Sequence, residues 1–121
     1  MKKTVLSLIV GLAALAASHA AIHLQQRYPG VLYATAGVHP HHASDLDDGS
    51  FAQLSDLASS SSVVAIGECG LDYNRNYSTH SEQERCFVAQ LELGIELGKP
   101  LFLHSRDAHP RFAEILHHYR P

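Results

Sequence analysis

The stretch that most constrains the fold is Val63-Val64-Ala65-Ile66-Gly67-Glu68-Cys69-Gly70-Leu71-Asp72-Tyr73. Four apolar residues, three of them β-favouring, end abruptly in a glycine. So short a continuous apolar run reads as a strand buried in a parallel sheet. Glu68 follows at once. A carboxylate in that place is costly to bury unless a cation or hydrogen bonds compensate it, and in α/β folds ligands gather at the C-terminal ends of the strands. By position alone, the simpler reading of Glu68 is a strand-end carboxylate that meets solvent.

A second stretch changes that balance. Lys99-Pro100-Leu101-Phe102-Leu103-His104-Ser105-Arg106-Asp107-Ala108 repeats the design, with His104 at the end of a short apolar run. A third run, Val31 to Ala36, leads into Gly37-Val38-His39-Pro40-His41-His42. Three strand ends in succession therefore deliver Glu or His. Neighbouring parallel strands lie close enough for such ends to share one site. The residue before a proline favours extended backbone, so Pro40 biases His39 that way.

These residues resemble the TatD family of metal-dependent deoxyribonucleases. The resemblance rests on Ala36 to His41 (A-G-V-H-P-H), Ala65 to Tyr73 (A-I-G-E-C-G-L-D-Y) and Lys99 to Ala108 (K-P-L-F-L-H-S-R-D-A). The intervening helix, with Gln83, Glu84, Arg85, Phe87, Gln90 and Leu91, also looks like the family's. The likeness runs from about Thr4 to the end of the chain. It implies an α/β fold, a partial TIM-like (β/α) barrel of the metal-dependent hydrolase type. It also implies a centre with two divalent metal ions that hydrolyses DNA phosphodiester bonds. Magnesium is the expected ion, with manganese or zinc as alternatives, and single-stranded DNA or its 3′ ends the substrate. Glu68 is the catalytic residue and bridging metal ligand in that reading, and His104 a second ligand. His39 sits near the metals and contacts the substrate phosphate.

The chain also departs from the family's pattern. Nothing at its start matches the family's Asp-x-His-x-His motif. It ends at Pro121, before any His-Cys-Phe-like or Thr-Asp-x-Pro-like motif. With Glu68 and His104 as the only family ligands present, the 121-residue chain is expected to bind metal weakly and cleave DNA poorly. Two rivals remain: a non-catalytic fragment, and an exported His-rich metal-binding protein.

Length supports one domain, residues 1–121, but a whole (β/α)₈ barrel takes roughly 200 residues at minimum. About half a barrel is the expectation: four parallel strands near 4–10, 31–36, 63–66 and 100–104, with helices on one side. Two unpaired sheet edges would invite self-association. The net charge of −3 does not announce a nucleic-acid binder, which would normally show a basic face. Substrate affinity must then come from metals and from local groups such as Arg106, whose planar fork suits phosphate oxygens. An ion pair with Asp107 is the alternative role for Arg106. Ten histidines are the compositional oddity. Cys69 and Cys86 form no metal or redox pattern and read as free thiols, Cys86 as a buried hydrophobe and Cys69 pointing away from Glu68.

The N-terminus carries two readings. Met1-Lys2-Lys3, the apolar run to Ala17 and Ser18-His19-Ala20 look like a secretory signal peptide. The alternative is a strand followed by a helix from about Leu12 to Tyr28. That helix gathers Ala13, Ala17, Ala20, Ala21, Leu24 and Tyr28 on one arc and His19, His23, Gln26 and Arg27 on the other. Because the pattern crosses the cleavage point, the strand–helix reading and a cytoplasmic location are preferred, with no membrane partner. Further on, a helix is expected near 50–58 with Phe51, Leu54 and Leu57 inward, and Ser59 to Ser62 as an exposed turn. Another is expected from a Ser81–Glu84 capping box to Leu97, stopped by Gly98, with Phe87, Val88, Leu91 and Ile95 inward. Asp72 reads as a loop carboxylate that fixes the turn, with orienting a ligand or Arg75 as the alternative. His41 and His42 read as surface residues. A final helix begins near Pro110, with Phe112, Ile115, Leu116 and Tyr119 inward and His117 and His118 outward.

Overall fold

The structure of the protein, a computed structural model, describes residues 4–6 and 14–120. Strands and helices alternate: β1 (Thr4–Leu6), α1 (Ala14–Arg27), β2 (Leu32–Ala36), a 3₁₀ helix (Pro40–Asp45), α2 (Asp48–Ala58), β3 (Val63–Asp72), α3 (His80–Leu97), β4 (Leu101–Arg106) and α4 (His109–His118). The sheet order is β1-β2-β3-β4, and every neighbouring pair is parallel. The four expected strands are all present. Residues 7–10 of the expected first strand lie outside the described residues.

β3 corrects the expected end of its strand. It does not stop at Ile66 but continues to Asp72, because its glycines admit a close approach rather than a turn. A Cβ on Gly67 would lie 2.2 Å from the Phe102 carbonyl oxygen, and one on Gly70 would lie 1.8 Å from that of His104. Both glycines have positive φ, 145° and 150°. The β3–β4 register shifts between Gly67 and Cys69, then holds Gly70 opposite His104 and Asp72 opposite Arg106. Asp72 is therefore a strand residue, and only the segment after it is loop.

The core forms two apolar clusters, with Leu101 packed against both. One gathers Ala21, Ile22, Ala34, Ala36, Leu54, Val63 and Ile66 between the sheet and α1 and α2. The other joins Cys69, Leu71, Phe87, Leu91, Ala108 and Ile115 between β3, α3 and α4. Cys69 thus points into the core, away from the metal question. Burial pushes the Cys86 thiol up to about 12 and raises Cys69 as well, so both stay protonated and inert.

Helix details adjust the expected faces. In α1, Ala17, Ser18, Ala21 and Ile22 are buried, whereas Ala20 and Tyr28 of the expected arc are exposed. The inward face is turned towards Ser18, whose hydroxyl accepts the Gly37 N–H at 3.3 Å. His19 and His23 face solvent. α2 begins at Asp48, capped reciprocally by Asp47 and Ser50. The serine turn after it is pinned: the Lys99 ammonium donates to the carbonyls of Ala58 and Ser60.

α3 is capped by Thr79 and Glu82, two residues before the expected Ser81–Glu84 pair. Both pairs have the required spacing, but Glu84 is held elsewhere, accepting two bonds from Arg111 at 2.7 and 2.9 Å. Gly98, in the left-handed conformation, ends the helix as expected. Ile95 is exposed instead of buried. The inward face is centred on Gln83, Cys86, Phe87, Gln90 and Gly94. Buried amides occupy it because they have partners. Gln90 accepts the Val38 N–H at 2.8 Å and donates to the Val38 carbonyl at 3.0 Å. Gln83 accepts the Asp72 N–H at 2.8 Å and donates to the carbonyls of Asp72 and Ser78. One helix thereby fixes the chain leaving β2 and the chain leaving β3.

Candidate metal and phosphate site

Three of the four residues nominated from the sequence meet across the adjacent strands β2, β3 and β4. His39 follows β2, Glu68 lies in β3, and His104 lies in β4. Glu68 Oε1 is 3.3 Å from His39 Nε2 and 3.1 Å from His104 Nδ1. One donor atom from each of the three residues falls within 4.8 Å of the others. The site is half-buried: His39 is enclosed, while the side chains of Glu68 and His104 keep 15% and 24% exposure. An incoming ion or substrate can therefore reach the two that face solvent.

Local backbone sets His39 first. It is extended, with φ −62° and ψ 147°, as Pro40 requires, and it caps the 3₁₀ helix. Its Nδ1 accepts the His41 N–H at 3.1 Å. Burial, reinforced by the neighbouring His41 and His104 rings, lowers its pKa to about 4. The ring is therefore neutral near pH 7, with its single proton on Nε2 and directed at Glu68. His39 serves as an N–H donor, and neither of its nitrogens has a free lone pair in this state.

The structure adds two residues that the sequence reading placed elsewhere. Asp72, read as a loop carboxylate, is buried beneath the site. Its Oδ2 lies 3.0 Å from His104 Nε2 and 3.1 Å from His41 Nε2. Its Oδ1 accepts the backbone N–H groups of Asn74 and Arg75, both at 3.1 Å. Burial alone would raise its pKa, but the bonds from the Arg75 N–H, His104, His41 and the Asn74 N–H outweigh it and hold the carboxyl down at about 2. The turn-fixing role was legible; the hold on two imidazoles was not.

His41 is not the surface residue expected. Its ring sits edge-on to His39 at 4.3 Å between centroids and edge-on to the exposed Tyr77 at 4.9 Å. The sequence signal was its position two residues after His39, and only the 3₁₀ turn folds it back over Asp72. His42 pairs with Asp45 at 3.8 Å, at the edge. Arg106 does not join the cluster. It is exposed at the end of β4, two residues past His104 and so on the same face of that strand. The expected ion pair with Asp107 is not formed: Asp107 accepts from the Asn74 amide at 2.9 Å, and among the described residues no ion pair holds Arg106.

Known proteins resemble this chain in sequence and in fold. The chain is 56% identical over 99 residues to the 3′-5′ ssDNA/RNA exonuclease TatD of Pectobacterium atrosepticum, covering 82% of this chain and 38% of that protein. It is 54% identical over 114 residues to the protein of that name from a Pantoea species, covering 94% and 44%. The chain thus spans less than half the length of these curated relatives. Among solved structures, an uncharacterized amidohydrolase from Saccharomyces cerevisiae superposes with a TM-score of 0.77 at 30% identity, over 88% of this chain and 39% of that one. The TatD homologue YJJV from Escherichia coli K12 does so with a TM-score of 0.72 at 31% identity, over 82% and 39%. The fold is thus the parallel α/β arrangement of these hydrolases. A family model described as TatD related DNase matches residues 2–121, and the chain belongs to that family.

Proposed function

We propose that this chain provides part of a metal-dependent nuclease centre that hydrolyses phosphodiester bonds in single-stranded DNA from its 3′ end. The observation that carries this reading is the convergence of Glu68, His104 and His39 from three adjacent parallel strands, with donor atoms within 4.8 Å. The relatives' printed name, 3′-5′ ssDNA/RNA exonuclease, supports the substrate class.

The residues fit a divalent cation. A carboxylate and an imidazole nitrogen, 3.1 Å apart and open to solvent on one side, form a mixed oxygen and nitrogen donor set. Such a set suits manganese or zinc, and magnesium where waters complete the shell. Glu68 would hold the metals as ligand and bridge, and His104 would supply a neutral nitrogen. A pair of divalent cations, when bound, supplies hydroxide at neutral pH and stabilises charge on the phosphate oxygens. Magnesium is the ion we assign in the cell. His39, whose Nε2–H lies 3.3 Å from Glu68 Oε1, would share that proton with a substrate phosphate oxygen docked beside Glu68, a donor role that its Nδ1 bond to the His41 backbone enforces. Arg106, exposed on the face of β4 that carries His104, binds the next phosphate along the strand.

The test is release of nucleotides from single-stranded DNA, with and without chelator. It uses the 121-residue chain and a version extended by the further segments of a relative. Chelator-sensitive release by the extended chain, with weak release by the chain alone, is the expected result. Release that survives chelation would remove the metal from the reading. No release from the extended chain would favour a non-catalytic fragment.

Residues 1–121 are taken as one cytoplasmic domain. Among the described residues no helix is long and apolar enough to cross a membrane. α1 runs unbroken through Ala20 and Ala21, and Ala21 is fully buried in the core, which favours a helix over a cleaved leader. On β4, Phe102 and Leu103 are 43% and 38% exposed, which favours self-association through that side of the sheet. Protein recovered from fractionated cells checks both points. A mature start at Ala21, or a strictly monomeric mass by light scattering, would refute the corresponding statement.

A further inference from the structure

We propose that Asp72 is the positioning residue of this site: by accepting the Nε2–H of His104, it aims the Nδ1 lone pair of that ring at Glu68. The inference rests on the metal-site reading above and names what makes His104 a ligand. His104 lies between two carboxylates, with Nε2 3.0 Å from Asp72 Oδ2 and Nδ1 3.1 Å from Glu68 Oε1. A ring that ligates a cation keeps one nitrogen unprotonated, so as a ligand His104 can donate to only one of them.

The surroundings decide which one receives it. Asp72 is 1% exposed and held by four bonds, two from backbone N–H groups of its own turn. Its main-chain N–H and carbonyl are both bonded to Gln83. It cannot turn away, so a bare His104 nitrogen facing its Oδ2 would leave two lone pairs opposed in a buried place, a cost that no rotation of Asp72 relieves. Glu68 is more exposed and already receives the His39 Nε2–H at 3.3 Å. The proton of His104 therefore belongs on Nε2. Two acceptors, Nδ1 of His104 and Oε1 of Glu68, are left facing each other across 3.1 Å, an arrangement that a cation relieves. A carboxylate behind the ring also raises the basicity of the ligand nitrogen. The same Oδ2 holds His41 Nε2, so one oxygen orders both rings around the site.

The experiment uses the whole chain labelled with ¹⁵N-histidine. Long-range proton–nitrogen NMR in the presence of chelator reads the tautomer of each ring, and no turnover is needed. His104 is expected as the Nε2–H form, and the Nδ1–H form would overturn the proposal. In Asp72→Asn, Oδ1 still accepts from Asn74 and Arg75, so the turn is kept, but an amide N–H now faces the two rings. His104 should switch to the Nδ1–H form. The Mn²⁺ concentration that broadens its resonances should rise about 10–100-fold, the usual effect of losing such a partner. An unchanged tautomer or an unchanged Mn²⁺ response in Asp72→Asn would also overturn it. If Asp72→Asn does not fold, the wild-type tautomer alone decides between the two outcomes. If Mn²⁺ fails to broaden His104 in the wild-type chain, the metal reading falls instead, and the tautomer result still stands or falls by itself.

Discussion

Glu68→Gln is expected to abolish metal-dependent cleavage in the extended chain, by at least about 100-fold, since losing even an outer partner of a ligand costs about 10–100-fold. The substitution keeps shape and changes charge. The amide oxygen can still accept the His39 Nε2–H, so the local fold should survive, and thermal unfolding should move little. What disappears is the second anionic oxygen that a bridge between two cations requires. His104→Ala should weaken one ion only, and excess metal should partly restore turnover. Arg106→Ala should raise KM with little effect on kcat, because Arg106 stands two residues past His104, outside the cluster. Full activity in Glu68→Gln would mean that the metals are held by other residues, and the proposed centre would have to be abandoned.

Phe87→Ala should have the largest effect on stability. Phe87 is fully buried in α3 and packs with Cys69, Leu71, Leu91, Ala108 and Ile115. Its ring stacks on Phe112 of α4, 5.4 Å between centroids and 3° from parallel. Deleting such a ring removes its transfer free energy and leaves a cavity, together about 3–5 kcal/mol. A domain of this size has only about 5–15 kcal/mol in total. Urea unfolding should show the loss directly, and α4 should become the most easily detached element. Phe87→Leu, which refills most of the space, should cost far less. A loss below about 1 kcal/mol for Phe87→Ala would contradict the close packing of α3 and α4 on β3.

Much of the fold was legible because short apolar runs and cap residues act locally. The runs before Glu68 and His104 gave two of the strands, and Gly98 ended its helix where a left-handed residue belongs. The errors have a common cause, a residue whose partner lies far along the chain. Gly67 looked like a stop, but it lets β4 approach. Ser81–Glu84 had capping spacing, but Arg111 occupies Glu84. Ile95 looked more suited to burial than Gln90, yet the Gln90 amide satisfies both backbone groups of Val38, 52 residues away.

The same division runs through the site. That Glu68, His104 and His39 could come together was legible in the sequence, since each stands beside a short apolar run and neighbouring parallel strands lie side by side. That Asp72 lies under the site and His41 folds over it was decided only in three dimensions. Asp72 and His104 are 32 residues apart, and their bond exists because β3 passes through Gly70 in register with His104. Local chemistry selects which residues can act; long-range pairing selects which nitrogen of His104 carries the proton.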